Sequence, residues 1–344
     1  MTAEILEQPV VFQRILDHGR RAIDALAARL VDHPPQFVLL AGRGTSDHAA
    51  DYAKYLIEVR LGIPCGLVSP STVTAYESTM SMHGVLYIAV SQSGTSPDLV
   101  ASLEAAGSAG AVTVAVTNSP ESELACAAQH HLDVLAGPEL AVAATKSYTA
   151  ELLTLLLLVE SWSAGAAKRT SPSSWDALLA AADRLAGDAQ TPRELAQRLA
   201  DRPRLIVTAR GYSLPTAAEA ALKIMETTYI SAHAYSGADL MHGPVAMVDG
   251  EFPVIAIIPK GATARGMLEV VDRLAARSAE VHVLTDLPGR LDGVHQVALP
   301  SGLDEELHPL VDVILLQRLA LEMALAAGHD PDGPRGLLKA THTL

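Results

Sequence analysis

The chain has 344 residues, which at about 150 residues per domain predicts roughly two domains. Apolar residues make up 49% of the sequence and charged residues 19%, so the chain can bury substantial cores and is not disordered. Acidic residues outnumber basic ones by 39 to 25, and the formal charge of −14 argues against a protein that binds nucleic acid. The longest apolar run, residues 152–159, is shorter than the about 20 residues of a membrane span and predicts a buried helix.

The start of the chain and its cysteines bear on where the protein works. Residues 1–4 lack the basic start and apolar run of a secretory signal. Cys65 and Cys126 cannot build a disulfide framework and match no zinc spacing, and no cluster of histidine and cysteine suggests a metal. We therefore expect a cytoplasmic protein with no metal or other cofactor and no membrane partner.

The N-terminal segment predicts helix, because Ile15, Ile23, Leu26 and Leu30 recur at near-helical spacing. Short apolar runs then alternate with alanine-rich helical stretches. Continuous apolar strands separated by helices are typical of a parallel sheet that is covered on both faces. The strands are predicted at 37–41, 86–90 and 112–116, the helices at 48–59, 98–106, 175–187 and 192–201, and a linker at 161–175.

The second half of the chain resembles the first. The alternation of strands and helices restarts at Leu205, and a shift of 167 residues superposes several strand and loop positions. We therefore expect two copies of one α/β unit, with ligand sites beyond the carboxyl ends of the strands. The superposed positions are Gly44 on Gly211, Gly94 on Gly261, 88–89 on 255–256, and 114 and 116 on 281 and 283.

A serine-rich loop, residues 91–96, follows the strand predicted at 86–90 and precedes a helix that begins near Pro97. It supplies four hydroxyls, a glycine that lets a ligand approach the backbone, and N–H groups at a helix N-terminus. A phosphate needs such donors and the positive end of a helix dipole, so the loop predicts an anion site. In the alternative interpretation, Ser96 merely caps the helix and the rest is a polar turn.

A second loop, residues 42–46, has the same position after the strand predicted at 37–41. It lacks the third glycine of the dinucleotide fingerprint. The loop either converges with the first on one small phosphorylated ligand or is a tight turn with Thr45 or Ser46 as the N-cap. Arg43 suits either a phosphate or a structural ion pair.

Glu219, Lys223 and Glu226 are spaced i, i+4 and i+7 and fall within about 60° on one helix face. Such a pattern is either a catalytic cluster or an ordinary surface ion pair worth ~0.2–0.5 kcal/mol. His242 lies in a stretch rich in Gly and Pro, residues 236–244, which predicts a poor core element that can reach across a subunit interface. By itself a lone loop histidine is most often simply solvated.

Together these residues resemble the double sugar-isomerase (SIS) domain family, and the chain is similar over nearly its full length to the isomerase half of glucosamine-6-phosphate synthases. This resemblance implies an α/β fold of two tandem SIS domains, each a parallel five-stranded flavodoxin-like sheet flanked by helices. The matching motifs are Gly44-Thr-Ser46, Ser91-Gln-Ser-Gly94, Gly137-Pro-Glu139, Ala143 with Thr145-Lys146, Glu219-Ala-Ala-Leu-Lys223 with Glu226, Gly237 with Leu240, His242-Gly-Pro244, and the tail from Asp330 to Lys339.

The resemblance divides the chain into five parts and implies a homodimer with shared active sites that acts on a small sugar phosphate. The parts are an N-terminal helical segment at 1–34, a first SIS domain with the phosphosugar-binding loops at 35–160, a linker with helices at 161–202, a second SIS domain with the catalytic Glu and His at 203–328, and a tail at 329–344 that closes over the site.

The resemblance also implies a role for each motif. Glu226 moves a proton between C1 and C2 of the sugar, and His242 assists ring opening from the neighbouring subunit. Glu219 and Lys223 line the site, and Lys339 closes over it. The substrate-binding residues implied by the family are Gly44, Thr45, Ser46, Ser91, Gln92, Ser93, Ser96, Val142 and Ala143.

Three departures from the synthases bear on the activity. Ala144 replaces a serine that contacts the sugar, Thr95 replaces an acidic residue, and only about 35 residues precede the first strand where a glutaminase domain would stand. We therefore expect a glucosamine-6-phosphate deaminase, which forms fructose 6-phosphate and ammonia. The alternatives are another ketose-phosphate isomerase or deglycase, an ammonia-dependent synthase subunit, and a non-catalytic phosphosugar sensor.

Overall fold

The computed structural model describes residues 1–167, 174–199, 202–250 and 252–339. They form two compact units. The first unit comprises residues 10–140 with the described parts of 144–172 and 336–344, and the second comprises residues 1–9, 141–143 and the described part of 173–335. Within the described ranges, no helix is both long and apolar enough to cross a membrane.

Two helices open the chain, α1 (Thr2–His18) and α2 (Arg20–Asp32). The helix predicted for this segment is confirmed, except that it breaks at Gly19. The apolar residues that predicted it are buried, because a helix with apolar residues at this spacing turns one face to the protein interior. They are Ile15, Ile23, Leu26 and Leu30.

The first unit holds five parallel strands in the order β2-β1-β3-β4-β5. All three strands predicted for this half are confirmed, as β1, β3 and β4. The strands are β1 (Phe37–Ala41), β2 (Cys65–Leu67), β3 (Val85–Ser91), β4 (Val112–Thr117) and β5 (His130–Asp133). The helices are α3 (Thr45–Leu56), continued by a π-helical turn at Ile57–Leu61, α4 (Ser71–Thr74), α5 (Pro97–Ser108), α6 (Glu123–Ala127) and α7 (Lys146–Gly165).

The second unit repeats this arrangement, with the strand order β10-β9-β8-β6-β7 and all pairs parallel. The two tandem α/β repeats expected from the sequence are thus confirmed. The strands are β6 (Arg204–Ala209), β7 (Ser231–Ser236), β8 (Pro253–Ile257), β9 (Glu280–Thr285) and β10 (His295–Ala298). The helices are α8 (Trp175–Gly187), α9 (Gln190–Leu199), α10 (Leu214–Thr228), α11 (Gly237–Met241), α12 (Ala264–Ala275) and α13 (His308–Ala326).

The shift of 167 residues holds for the first two matching strands but not for the third. Leu40 pairs with Ile88 in the first sheet, as Val207 pairs with Ile255 in the second. Ile88 then faces Val114. By contrast, Ile255 pairs with His282, so Val114 matches a residue 168 positions further on. The superposition predicted for 114 and 116 is therefore wrong by one residue, because the turn before β9 is one residue longer than the turn before β4.

Helices α7 and α13 are buried on nearly every side. Residues 152–159, predicted as a buried helix, lie within α7 and are each at most 1% exposed. A helix that is apolar all round has no face suited to water and packs in the interior. The prediction of a buried helix is therefore confirmed.

Two stretches predicted as irregular are partly helical. Helix α7 continues to Gly165, so the start of the linker predicted at 161–175 is wrong, and residues 168–173 lie outside the described residues. Residues 237–241 form α11, whose Leu240 is fully buried. A Cβ added at Gly237 would lie 2.4 Å from Met267 Sδ, so the missing side chain is what allows α11 to pack closely. The prediction of a poor core element for 236–244 is therefore wrong at α11, whereas His242 and Gly243 are exposed as it implied.

Candidate functional site

The serine-rich loop makes a tight turn between β3 and α5. Gly94 has a φ of +65°, in the left-handed region that glycine adopts at little cost. A Cβ at this position would lie 2.1 Å from Ser122 Oγ. Ser91 Oγ accepts a hydrogen bond from Gly94 N at 3.2 Å, and Ser93 Oγ lies 3.0 Å from Thr95 Oγ1. The turn therefore gathers several hydroxyl and N–H donors beside the end of a buried strand.

Ser96 is the N-cap residue of α5, but its side chain makes no capping hydrogen bond. Ser96 therefore holds the N-cap position without using its hydroxyl as a cap. Pro97 stands at the start of the helix as predicted, and the side chain of Asp98 accepts a hydrogen bond from Leu99 N at 2.9 Å. The hydroxyl of Ser96 thus remains at the positive end of the helix, where an anion is stabilised.

The second loop begins α3 with glycine rather than with a hydroxyl residue. Gly44 is the N-cap, with a φ of +54°, so the alternative in which Thr45 or Ser46 caps the helix is wrong. Ser46 Oγ donates a hydrogen bond of 2.9 Å to Glu151 Oε1, a fully buried carboxylate on α7. This contact fixes the orientation of the Ser46 side chain against the interior.

Arg43 forms a structural ion pair, one of the two roles considered for it. Its Nε and Nη2 lie 2.7 and 2.6 Å from Asp98 Oδ2, and Asp98 is 1% exposed. Because Arg43 belongs to residues 42–46 and Asp98 to the first turn of α5, this pair holds the two loops together. The predicted convergence of the loops thus has a physical basis in the first unit.

Lys339 contacts a second buried carboxylate of the first unit. Its Nζ donates to Glu139 Oε2 at 2.8 Å, and Glu139 also accepts hydrogen bonds from Thr145 N at 2.9 Å and from Ser147 N and Oγ at 3.1 and 2.6 Å. Burial alone would raise the pKa of the Glu139 carboxyl, but the Lys339 ammonium and these hydrogen bonds hold it below its usual value. Glu139 therefore ties the tail to the start of α7.

Helix α10 of the second unit carries the cluster of two carboxylates and one ammonium. Lys223 Nζ lies 2.5 Å from Glu226 Oε2 and 3.5 Å from Glu219 Oε1. The side chains of Glu219 and Lys223 are 0% and 1% exposed, whereas that of Glu226 is 21% exposed. This is a buried cluster and not the ordinary surface ion pair considered above. Glu226 is the carboxylate of the cluster that a ligand can reach.

The remaining predicted residues are placed as follows. His242 is exposed at the end of α11, and in the described part of the chain no hydrogen bond or ion pair joins its imidazole to the α10 cluster. Val142 N donates to the carbonyl oxygen of Asp332 at 3.1 Å, and Ala143 is buried. The carbonyl oxygen of Gln92 accepts a hydrogen bond of 3.2 Å from Asn118 N.

Two buried carboxylates of the first unit, Glu139 and Glu151, had no role assigned from the sequence. A signal for Glu151 was present, because a charged residue directly precedes the apolar run at 152–159. Buried carboxylates are generally paired or hydrogen-bonded, and both of these accept hydrogen bonds from predicted site residues. For Glu139, the hydroxyl residues six and eight positions further on, Thr145 and Ser147, gave a weaker signal.

Comparison with known families matches the SIS domain twice in this chain, at residues 36–161 and 198–327. Among curated proteins, the chain is 34% identical over 353 residues to a glutamine–fructose-6-phosphate aminotransferase (isomerizing) of Pyrococcus horikoshii. The alignment covers 99% of this chain and 57% of the relative, so the chain spans little more than half the length of that protein.

Two solved structures superpose on nearly the whole chain. A candidate phosphosugar isomerase from Silicibacter pomeroyi has a TM-score of 0.84 at 34% identity, covering 96% of this chain and 99% of that one. The C-terminal domain of a glucosamine-fructose-6-phosphate aminotransferase from Francisella tularensis also has a TM-score of 0.84, at 26% identity, covering 96% of both chains.

Proposed function

Because this chain belongs to the SIS domain family, we propose that it is a phosphosugar isomerase whose reaction converts glucosamine 6-phosphate to fructose 6-phosphate and ammonia. The observation that carries this proposal is the buried Lys223 ammonium between two carboxylates, of which Glu226 alone is accessible. A proton shuttle beside a carbonyl needs such a carboxylate.

In this proposal the phosphoryl group binds at the serine-rich loop. Ser91, Ser93 and Ser96 supply hydroxyl donors, and the N-terminus of α5 supplies the favourable end of a helix dipole. The ion pair between Arg43 and Asp98 positions the neighbouring loop. Binding energy from the phosphoryl group holds the sugar chain while C1 and C2 react.

The chemical step is a proton transfer between adjacent carbons. In the open-chain sugar, Glu226 takes the proton from C2 and returns it to C1, while O1 gains a proton and the C2 amino nitrogen gives one up. These two transfers leave a C1 hydroxymethyl group and a C2 imine. Water then adds to C2 and ammonia leaves, giving the ketose phosphate. The Lys223 ammonium, whose Nζ lies 2.5 Å from Glu226 Oε2, holds that carboxylate in place.

The family resemblance gives two further residues a role in this proposal. His242 assists ring opening, contributed by the neighbouring subunit of a homodimer. Lys339 lies beside the reacting sugar, and its contact with Glu139 keeps the ammonium oriented. Nitrogen at C2 is favoured over a hydroxyl because the 34% identical relative is named as an aminotransferase of fructose 6-phosphate.

The test is incubation with a panel of hexose and hexosamine 6-phosphates, with ammonia and ketose phosphate measured separately. We expect both products in equal amounts from glucosamine 6-phosphate and neither with Glu226→Gln. Formation of a ketose phosphate without ammonia from an aldose phosphate that lacks an amino group would show that the protein is an isomerase and not a deaminase. Binding of a sugar phosphate without any turnover would identify a sensor instead.

A further inference from the structure

The carboxyl edge of the second sheet carries a loop that matches the serine-rich loop of the first. Residues 258–263 follow β8 and lead into α12, as residues 91–96 follow β3 and lead into α5. The shift of 167 residues superposes Gly261 on Gly94 and Thr263 on Ser96. Thr263 is the N-cap of α12 and, like Ser96, makes no capping hydrogen bond with its side chain.

In residues 258–263, the N–H and hydroxyl donors at the start of α12 are bonded to a carboxylate of the chain itself. Glu305 Oε2 accepts a hydrogen bond of 2.8 Å from Ala262 N, and Glu305 Oε1 accepts one of 3.2 Å from Thr263 Oγ1. A neighbouring N–H of the loop is also bonded to a carboxylate, since Lys260 N donates to Asp286 Oδ1 at 2.5 Å. A backbone N–H, a hydroxyl and a helix N-terminus are the donors that bind oxyanions elsewhere.

Gly261 makes room for the Glu305 carboxylate, and Gly211 lies beside it. A Cβ at Gly261 would lie 2.1 Å from Glu305 Cδ, which is well inside contact distance. At Gly211, which matches Gly44 in the first repeat, a Cβ would lie 4.0 Å from Glu305 Oε1. The carboxylate therefore lies beside the loops after β6 and β8, the counterparts of the two loops predicted to bind phosphate in the first repeat.

A buried imidazole provides an independent sign of anion binding at this edge. His308 is fully buried, its Nε2 makes no hydrogen bond within the described residues, and it lies 3.8 Å from Asp286 Oδ2. Burial alone would lower the pKa of His308, but the carboxylates of Asp312, Asp286 and Glu305 raise it. The His308 imidazole thus lies beside Asp286, whose carboxylate accepts a hydrogen bond from the same loop that bonds to Glu305.

We propose that Glu305 is an internal anion ligand, whose carboxylate fills an oxyanion site that the second repeat retains from the duplication. The second repeat is thereby closed to sugar phosphates, and the phosphosugar site stays in the first repeat. Removing the carboxylate reopens a site for a small oxyanion such as formate, sulfate or inorganic phosphate. This inference goes beyond the proposed activity and concerns a different sheet edge.

The test compares thermal unfolding of Glu305→Ala with and without formate, which is small enough to occupy the vacated space. Loss of the two charge-assisted hydrogen bonds that Glu305 accepts predicts a melting temperature lower by about 3–10 °C. We expect tens of millimolar sodium formate to recover at least half of this loss, compared with sodium chloride at the same ionic strength. The matched control is Glu269→Ala, which removes an exposed carboxylate from α12 and should respond to neither salt.

A second variant separates charge from shape. Glu305→Gln keeps the volume of the side chain and leaves no space for formate. It should therefore be less stable than the parent, and formate should not restore its melting temperature. This variant also provides the test if Glu305→Ala does not fold. Equilibrium dialysis with inorganic phosphate should find one more ion bound per chain in Glu305→Ala than in the parent.

The inference is overturned if Glu305→Ala has the same melting temperature as the parent, or if formate raises the melting temperature of Glu305→Ala no more than that of Glu269→Ala. Should Glu305→Ala fail to fold, recovery of Glu305→Gln by formate, or a melting temperature equal to that of the parent, overturns it as well. These readouts do not depend on turnover, so a parent protein without deaminase activity would leave the inference standing and remove only the proposed function.

Discussion

Burial separates the residues of α10 from an ordinary helical ion pair. Glu and Lys at i and i+4 usually stabilise a helix surface by a few tenths of a kcal/mol. Here Glu219 and Lys223 are buried, and breaking such a pair leaves an uncompensated charge in the interior. Glu226, at 21% side-chain exposure, is the member of the cluster that faces a region open to solvent.

We expect Glu226→Gln to lower turnover by ~10²–10⁴-fold, because the amide keeps the shape of the side chain but cannot accept the proton. Binding of the sugar phosphate should be retained. The measurement is kcat and KM for ammonia release, together with the melting temperature. Near-normal turnover would show that the α10 cluster has only a structural role.

Glu219→Gln is the matched comparison on the same helix. Because it leaves the buried Lys223 with one carboxylate fewer, its main effect should be on the melting temperature, with a smaller loss of turnover than in Glu226→Gln. A larger loss of turnover in Glu219→Gln than in Glu226→Gln would show that Glu219, and not Glu226, accepts the proton.

Ser93→Ala should raise the KM for the phosphosugar about 10–100-fold, since one hydrogen bond to a charged group is lost. The melting temperature should stay within about 2 °C of the parent because the residue lies in a loop. Ser301→Ala, which changes an exposed serine outside both loops, provides the control and should change neither value. If Ser93→Ala binds substrate as tightly as the parent, the loop is a turn and not a phosphate site.

At the residue scale the sequence predicts which side chains belong to the loops but not which partners they take. Arg43 was equally suited to a phosphate or a carboxylate, and its choice depends on the position of Asp98 in three dimensions. Similarly, nothing local to Glu139 indicates that Lys339, 200 residues further on, bonds to it. Long-range pairings of this kind require the tertiary fold.

At the scale of elements, β1, β3 and β4 were predictable because the central strands of a parallel sheet are continuous apolar runs. The edge strands β2 and β5 were not predicted, because β2 has three residues and β5 is mostly polar. The register of β9 was not, because it depends on one extra residue in the turn after α12. Helix α11 was missed because Gly and Pro reduce helix propensity, while the tertiary packing of Leu240 and Gly237 overrides that preference.

Strand β9 contains a histidine that should make stability depend on pH. Burial is the main cause that lowers the pKa of His282 to about 4, although Glu280 opposes it, and His295 and Arg198 contribute repulsion. The unfolded chain, with an ordinary value of 6.5, binds this proton first as the pH falls. Stability supplied by the neutral imidazole is therefore lost between about pH 6.5 and pH 4.

We expect His282→Val to flatten this part of the pH profile, because the variant has no proton to take up and leaves no unpaired Nδ1. The measurement is the melting temperature at pH 7.5 and pH 5 for the parent, for His282→Val and for His33→Gln as an exposed control. An equal acid-induced drop in all three proteins would place the titration elsewhere.

For the whole molecule, the two repeats and their strand order were predictable from the internal shift and the family resemblance, whereas the assembly stays a prediction. We expect a homodimer in which His242 of one subunit completes the site of the other. Mixing inactive His242→Ala and Glu226→Gln under subunit exchange should then restore up to about a quarter of parental activity, since half the dimers are mixed and each has one intact site.

Analytical ultracentrifugation of the mixture, with one variant carrying a distinguishing tag, shows whether exchange has occurred. If mixed dimers form and activity does not return, either His242 and Glu226 of the same subunit form one site, or His242 takes no part in the chemistry. Each variant incubated alone under the same conditions gives the background activity.

The extra residue before β9 limits how the two repeats could be recombined. A graft of α5 and β4 in place of α12 and β9 would bring a connecting turn one residue too short. Because side chains alternate between the faces of a strand, a slip of one position would turn Val114 and Val116 toward the opposite layer of helices. Chimeras of the two halves should therefore fold only when one residue is inserted after the transplanted helix.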